Sequence, residues 1–248
     1  AMVQAQLEAK GISIHTNSKV LSVMDRENGA DVEVETPEGK KGFFAEKVLV
    51  CVGRGPNTTN LGLDKAGIQL QDGFIRTDDH LETNIKGVYA VGDCNGKLML
   101  AHAAMAMGEI AAANALGDNQ VFNPAASPSC AYVGPEFAGI GLTEEEAQAK
   151  GLNIKVGRFP TSANGRSLVM GNTDGMIKVI ADAKYGEILG VHILAAHATD
   201  LIEEAALAMR LEATTEELVS TIHCHPTVAE GLREAVLAVD KKAIHNKN

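Results

Sequence analysis

The chain has 248 residues, 45% of them hydrophobic, and a formal charge of −10, which is enough length and apolar content for one large domain or two smaller ones with real cores. The acidic balance excludes a polyanion such as DNA as the main partner, because phosphate binding needs Lys and Arg clusters; a small anionic cofactor held by helix N-termini and glycine turns stays compatible. No apolar run approaches the roughly 18 residues of a membrane helix and no signal pattern opens the sequence, so a cytoplasmic protein without membrane contact is expected.

Residues 3–10 have helical spacing and stop at Gly11, after which residues 12–24 and 30–39 alternate apolar and polar positions as paired strands do. Val48 to Val52 form a continuous apolar run ended by Gly53, which predicts a strand buried on both faces and entering a loop. Loops at the C-terminal edge of an open α/β sheet are where cofactors bind. A second short buried strand is predicted from Gly87 to Val91, ending in Gly92-Asp93, and Leu98 to Leu116 read as a long Ala-rich helix closed by Gly117. The character changes near Asn123. Pro124 and Pro128 make an extended entry, Thr143 to Glu146 form a capping box, and residues 175–181 and 186–193 are β-rich. Helices are predicted last, over about 198–211 and 226–242. A domain boundary is placed near residue 120.

The strongest local signal is the segment from Thr221 to Ala235, TIHCHPTVAEGLREA. Pro226 suits the first position of a helix, which puts His225 at the helix entrance and Glu230 about one turn inside. An imidazole whose second nitrogen is bonded to a carboxylate keeps one tautomer and can take a proton from a thiol. Such a base speeds disulfide exchange, since a thiol attacks only as the thiolate. By spacing alone, the same residues also suit a helix cap with a solvated glutamate. An extended backbone turns His223 and Cys224 away from this pair, making His223 structural. The four cysteines, Cys51, Cys94, Cys130 and Cys224, lie far apart without metal-like or CxxC spacing, so buried thiols are expected, with no metal site and no disulfide framework.

Two weaker motifs concern small ligands. Gly53-Arg54-Gly55-Pro56-Asn57-Thr58 has turn composition, and its glycines let a ligand approach the backbone. Gly92-Asp93 followed by Met99, Leu100, Ala101 and His102 offers a carboxylate for a sugar-like hydroxyl and a helix N-terminus for a ring carbonyl; an ordinary strand-to-helix turn has the same composition. The apolar stripe on residues 201–209 reads as core first and subunit contact second.

Taken in order, seven segments resemble the pyridine nucleotide-disulfide oxidoreductases, and most closely those acting on dihydrolipoamide: VLVCVGRGPNT, TNIKGVYAVGD, MLAHAAMAMGEIAAANALG, VGPEFAGIGLTEEEA, FPTSANGRSLVMGNTDGMIKVIAD, GEILGVHIL and HCHPTVAEGLREA. The resemblance implies an enzyme that oxidises dihydrolipoamide through a dithiol, FAD and NAD, serving 2-oxoacid, acetoin or glycine-cleavage complexes. It implies that Gly53 abuts the nicotinamide cofactor, that Asp93 binds the flavin's ribityl chain, and that Met99, Leu100, Ala101 and His102 lie along the flavin ring. It also implies that His225 is the acid/base residue, oriented by Glu230 and completing the partner's active site in a homodimer. A lipoyl-bearing acyltransferase or carrier protein would be the further partner.

The fold implied is α/β and α+β: residues 1–85 end the NAD-binding domain, 86–120 return to the FAD-binding domain, and 121–248 form an α+β dimerisation domain. Both GxGxxG fingerprints and the family's Cys-x4-Cys pair are absent, and Gly55 stands where arginine is common. A C-terminal fragment, inactive alone and holding FAD weakly, is therefore expected. The alternatives are a glutathione reductase-like enzyme or a non-catalytic dimerisation module.

Overall fold

A computed structural model describes residues 2–247. It divides into two compact units, Ala1–Arg54 and Gly55–Asn248.

In the first unit, helix α1 (Met2–Ala9) is followed by a three-stranded antiparallel sheet, β1 (Lys19–Arg26), β2 (Gly29–Thr36) and β3 (Gly39–Ala45), in that spatial order. The helix and the first two strands are where the periodicity puts them; β3 was not foreseen. Period-2 alternation places Ala30, Val34 and Thr36 of the central strand on one face, where they are buried. The predicted strand over Val48–Val52 is not formed. Among the described residues no strand pairs with it, and Leu49 and Val52 are 86% and 89% exposed. A run this apolar becomes a central strand only with neighbours on both sides to satisfy its backbone and cover its faces.

The second unit opens with a short hairpin, β4 (Leu70–Gln71) and β5 (Phe74–Ile75), and helix α2 (Ala101–Ala115). A small core joins Leu81, Ala103, Met107, Ala111 and Phe122. The strand predicted over Gly87–Val91 is reduced to a single bridge, Glu82 to Tyr89, because residues 88–90 spend their backbone groups locally on Leu81 and Thr83.

Beyond residue 128 lies a five-stranded antiparallel sheet of β6 (Ser129–Ala131), β7 (Glu136–Gly141), β8 (Ile154–Pro160), β9 (Met176–Asp182) and β10 (Ile188–Ala195), in the order β6-β7-β10-β9-β8. Helix α3 (Glu144–Ala149) starts at the predicted capping box, with Thr143 and Glu146 bonding each other's backbone reciprocally. After it come α4 (Gly165–Met170), α5 (Ala198–Arg210), α6 (Thr215–Ser220) and α7 (Glu230–Val239). Helix α5 lies on β7 and β10, and α7 on β8 and β9.

The sheet's inward residues Ile177, Val179, Val191 and Ile193 bury against Ile202 and Ala205 of α5 and Leu232, Ala235 and Val236 of α7. Each such branched side chain contributes about 1.5–3 kcal/mol when fully buried, so this core fixes α7 against the sheet. Gly157 of β8 allows the approach: a Cβ there would lie 2.0 Å from the Ala235 carbonyl oxygen. The stripe on α5 is core as expected, with Leu207 left on the exposed side. Among the described residues no helix is long and apolar enough to cross a membrane.

Candidate active site

Helix α7 begins at Glu230, four residues later than the sequence suggests. Pro226 is therefore not its first residue but follows a cis bond from His225, in a turn that precedes the helix. Side-chain bonds outcompete the helical ones there. The Thr227 hydroxyl donates to the Cys224 carbonyl at 2.7 Å, and the Thr227 backbone N–H donates to Glu230 Oε2 at 2.8 Å. From the other side, Asn164 Nδ2 donates to the Thr227 carbonyl at 3.0 Å. Asn164 is itself buried, and its Oδ1 caps α4 by accepting from Ser167 N–H at 2.8 Å.

This frame presents the two predicted residues as a pair. His225 Nδ1 lies 2.9 Å from Glu230 Oε1, so the ring donates at Nδ1 and carries its lone pair on Nε2. The histidine side chain is 79% exposed and the glutamate 29%, which makes the carboxylate an anchored support and the imidazole the presented group. Burial pushes the Glu230 carboxyl up, but the Thr227 N–H and the His225 ring together outweigh it and hold the group below its ordinary value. The pair lines a groove of about 530 Å³ with Asn164, His223, Arg233 and His245. The arrangement can accept a proton at Nε2 and share the resulting charge with a fixed carboxylate.

His223 is held in place at both ring nitrogens, although alternation puts it on the same side as His225 and it lines the same groove. Its side chain is 6% exposed, Nε2 lies 2.9 Å from Glu204 Oε1 of α5 and Nδ1 lies 3.0 Å from the Thr221 carbonyl. Thr227 and Asn164 went unrecognised from the sequence. The pattern Asn164-Gly-Arg-Ser167 was a readable N-cap signal, whereas the bond from Asn164 to Thr227 spans 63 residues and left no local trace.

Asp93 sits in a 3₁₀ turn, Gly92–Asn95, entered through Gly92 at φ +76°. That turn packs against α2, whose N-cap residue Leu100 supplies no side-chain cap. Met99 and Leu100 are half-buried, and Ala101 and His102 are exposed. His102 Nε2 lies 2.8 Å from the Pro128 carbonyl, tying α2 to the entry of β6. Gly53 belongs to the other compact unit, in the exposed 48–52 continuation, at φ +116° with open space where a Cβ would stand.

The expectation of buried cysteines is corrected. Cys51 and Cys224 are exposed, because one lies in the unpaired run and the other in the turn before α7; Cys94 and Cys130 are partly buried. Burial pushes the Cys94 and Cys130 thiols up, away from the reactive thiolate. Among the described residues no cluster of three or more His, Cys, Asp or Glu side chains is placed to hold a metal.

Comparison with known proteins gives two successive family matches. Residues 1–108 match the pyridine nucleotide-disulphide oxidoreductase family and residues 127–236 match the pyridine nucleotide-disulphide oxidoreductase dimerisation domain. A dihydrolipoyl dehydrogenase of Thermus scotoductus is 45% identical over 251 residues, covering 100% of this chain and 54% of that protein. One of Bacillus subtilis is 41% identical, covering 98% and 52%. The chain thus spans about half the length of the curated relatives it matches.

Among solved structures, LpdA from Mycobacterium tuberculosis has a TM-score of 0.87 at 27% identity, covering 94% of this chain and 51% of that one. The HOCl-induced flavoprotein disulfide reductase RclA from Escherichia coli has a TM-score of 0.86 at 26% identity, covering 95% and 54%. With both of its halves matched by models of one family and its backbone superposing on flavoprotein disulfide reductases, the chain belongs to the pyridine nucleotide-disulphide oxidoreductases.

Proposed function

We propose that this chain is the C-terminal portion of a flavin-dependent dihydrolipoamide:NAD oxidoreductase, contributing its acid/base pair. The observation that carries the reading is the bridging carboxylate. Glu230 binds His225 through one oxygen and the Thr227 N–H through the other, leaving Nε2 presented at the mouth of a groove. The 37–45% identity to dihydrolipoyl dehydrogenases favours that substrate over glutathione.

In this reading His225 Nε2 takes the proton of an incoming dihydrolipoyl thiol, and the thiolate attacks a disulfide of the working enzyme. Glu230 offsets the imidazolium charge, and the proton is returned at the same nitrogen when the leaving thiolate is released. The chain has no Cys-x4-Cys pair, so it supplies the base and not the dithiol, and as isolated it is a non-catalytic dimerisation module.

The residues around Asp93 fit a flavin. A carboxylate in a turn entered through a positive-φ glycine suits a ribityl hydroxyl, and the helix start spanning Met99, Leu100, Ala101 and His102 suits a ring carbonyl through its N-terminal dipole. Gly53 leaves open space for a nicotinamide. Moving an electron pair from dithiol to nicotinamide is the chemistry a bound FAD supplies.

Residues 1–85 and 86–120 are assigned to the nucleotide-binding domains and 121–248 to the interface of a cytoplasmic homodimer, in which each His225 serves the partner's dithiol. A lipoyl-bearing acyltransferase or carrier protein delivers the substrate. The test is H225Q in the complete enzyme, with turnover and flavin absorbance measured together. Turnover collapses and flavin stays bound if the reading holds; near-normal turnover removes His225 from the mechanism.

A further inference from the structure

The turn that carries His225 is shaped by its own bonds. The Thr227 hydroxyl reaches back to Cys224, the Thr227 N–H reaches forward to Glu230, and His225 bonds to that same carboxylate, all within five positions. Short-range bonds of this kind set the form of a turn but not its place in the molecule. Val228 seats it against the core, yet apolar burial has no direction. Among the described residues one hydrogen bond enters residues 224–230 from beyond α7, and Asn164 Nδ2 donates it to the Thr227 carbonyl at 3.0 Å.

That donor is itself fixed. Thr161, only 1% exposed, is bonded in both directions to Gly175 just before β9: its N–H donates to the Gly175 carbonyl at 3.0 Å, and its Oγ1 accepts from the Gly175 N–H at 2.8 Å. The Asn164 N–H then closes on the Thr161 carbonyl at 3.0 Å. Asn164 Oδ1 is taken by the Ser167 N–H at 2.8 Å and the Ser167 hydroxyl at 3.0 Å, which leaves the amide nitrogen turned toward Thr227. The position therefore uses a donor and an acceptor on one short buried side chain. Aspartate would bring acceptors only, and serine, one bond shorter, would cap α4 without reaching Thr227.

We propose that Asn164 is a positioning residue for the acid/base pair: it ties Thr227 to the start of β9, and the Thr227 N–H in turn aims the Glu230 carboxylate that orients the His225 ring. The inference rests on the assignment of His225 as the base. Asn164 takes no proton itself. Its effect is on where Nε2 points, and a misplacement of about 1 Å at a reacting group can cost on the order of 100-fold in rate.

The test is a double-mutant cycle on N164S and E230A in the complete enzyme. N164S keeps an oxygen for the α4 cap and removes the donor to Thr227. Its kcat should fall by roughly 3- to 10-fold, less than the roughly 10- to 100-fold expected when an orienting partner is itself lost, with KM for dihydrolipoamide and flavin absorbance unchanged. In the E230A background the link to His225 is already cut, so N164S should lower kcat by less than about 2-fold. A merely structural loss around α4 would act in both backgrounds. A kcat for N164S within about 2-fold of the unmodified enzyme, or an equal loss in both backgrounds, overturns the proposal. N164D, which caps α4 and cannot donate to Thr227, repeats the cycle if N164S does not fold. A Thr227 amide that exchanges as fast as an open peptide in the unmodified 248-residue chain overturns it as well. If H225Q retains turnover the base assignment fails; if H225Q collapses while N164S turns over like the unmodified enzyme, only the role of Asn164 fails.

Discussion

Adding one methyl group at Gly157 tests whether α7 is seated as described. A Cβ at that position would lie 2.0 Å from the Ala235 carbonyl oxygen, 2.6 Å from the Val239 nitrogen and 2.9 Å from Val239 Cγ2. An ordinary carbon to oxygen contact is about 3.3 Å, so the helix must retreat by roughly 1 Å. Two of the three clashing atoms are backbone and have no rotamer to escape through. Overpacking costs typically 1–3 kcal/mol, and the rigid neighbours put G157A near 3 kcal/mol. At about 2–4 °C per kcal/mol for a domain of this size, its Tm should fall by roughly 6–12 °C. Gly165 meets nothing within 4 Å, so G165A is the matched control and should unfold with the unmodified chain. The assay is thermal unfolding followed by far-ultraviolet circular dichroism. A G157A midpoint within about 1 °C of the unmodified protein would refute the packing of α7 on β8.

In the complete enzyme, E230Q should lower turnover about 10- to 100-fold, as losing an orienting partner does, against a larger loss of about 10²- to 10⁴-fold for H225Q; steady-state assays rank the two, and equal losses would contradict a purely orienting glutamate. Burial pushes the Glu234 carboxyl up, but the donors of His245 and Ile244 outweigh it and hold it low. A depressed carboxylate stabilises the fold fully above its unfolded value of about 4.3 and loses that contribution as pH falls through the folded value. Urea midpoints should therefore drop below about pH 4.3, and more shallowly in E234Q. N164A removes both the α4 cap and the bond to Thr227, so it should cost about 1–2 kcal/mol in urea unfolding; a change below the error would detach α4 from the site. Light scattering coupled to size exclusion should give a dimer, and a monomer at high concentration would remove the interface assignment.

Local chemistry was readable in this sequence and remote pairing was not. The Thr143 to Glu146 capping box named the start of α3 because both partners lie within one turn. The same pattern at Thr214 and Glu217 opens α6 and was available to the same reasoning. Val48 to Val52 misled because an apolar run states only that neighbours are needed, not whether they exist. The histidine and glutamate were legible as a pair, but the helix between them was placed too early. What delays α7 is a set of bonds through Thr227, one of them from Asn164, far away in the chain.

The carboxylate that orients His225 is also the opening residue of α7. Fold and site consequently share one hinge: if the first turn of α7 frays, the imidazole loses its carboxylate partner in the same event that uncovers Leu232 of the core. In the proposed role of His225, readiness for proton transfer therefore depends on the first turn of α7, and protection of the amides just after Glu230 against hydrogen exchange reports it directly.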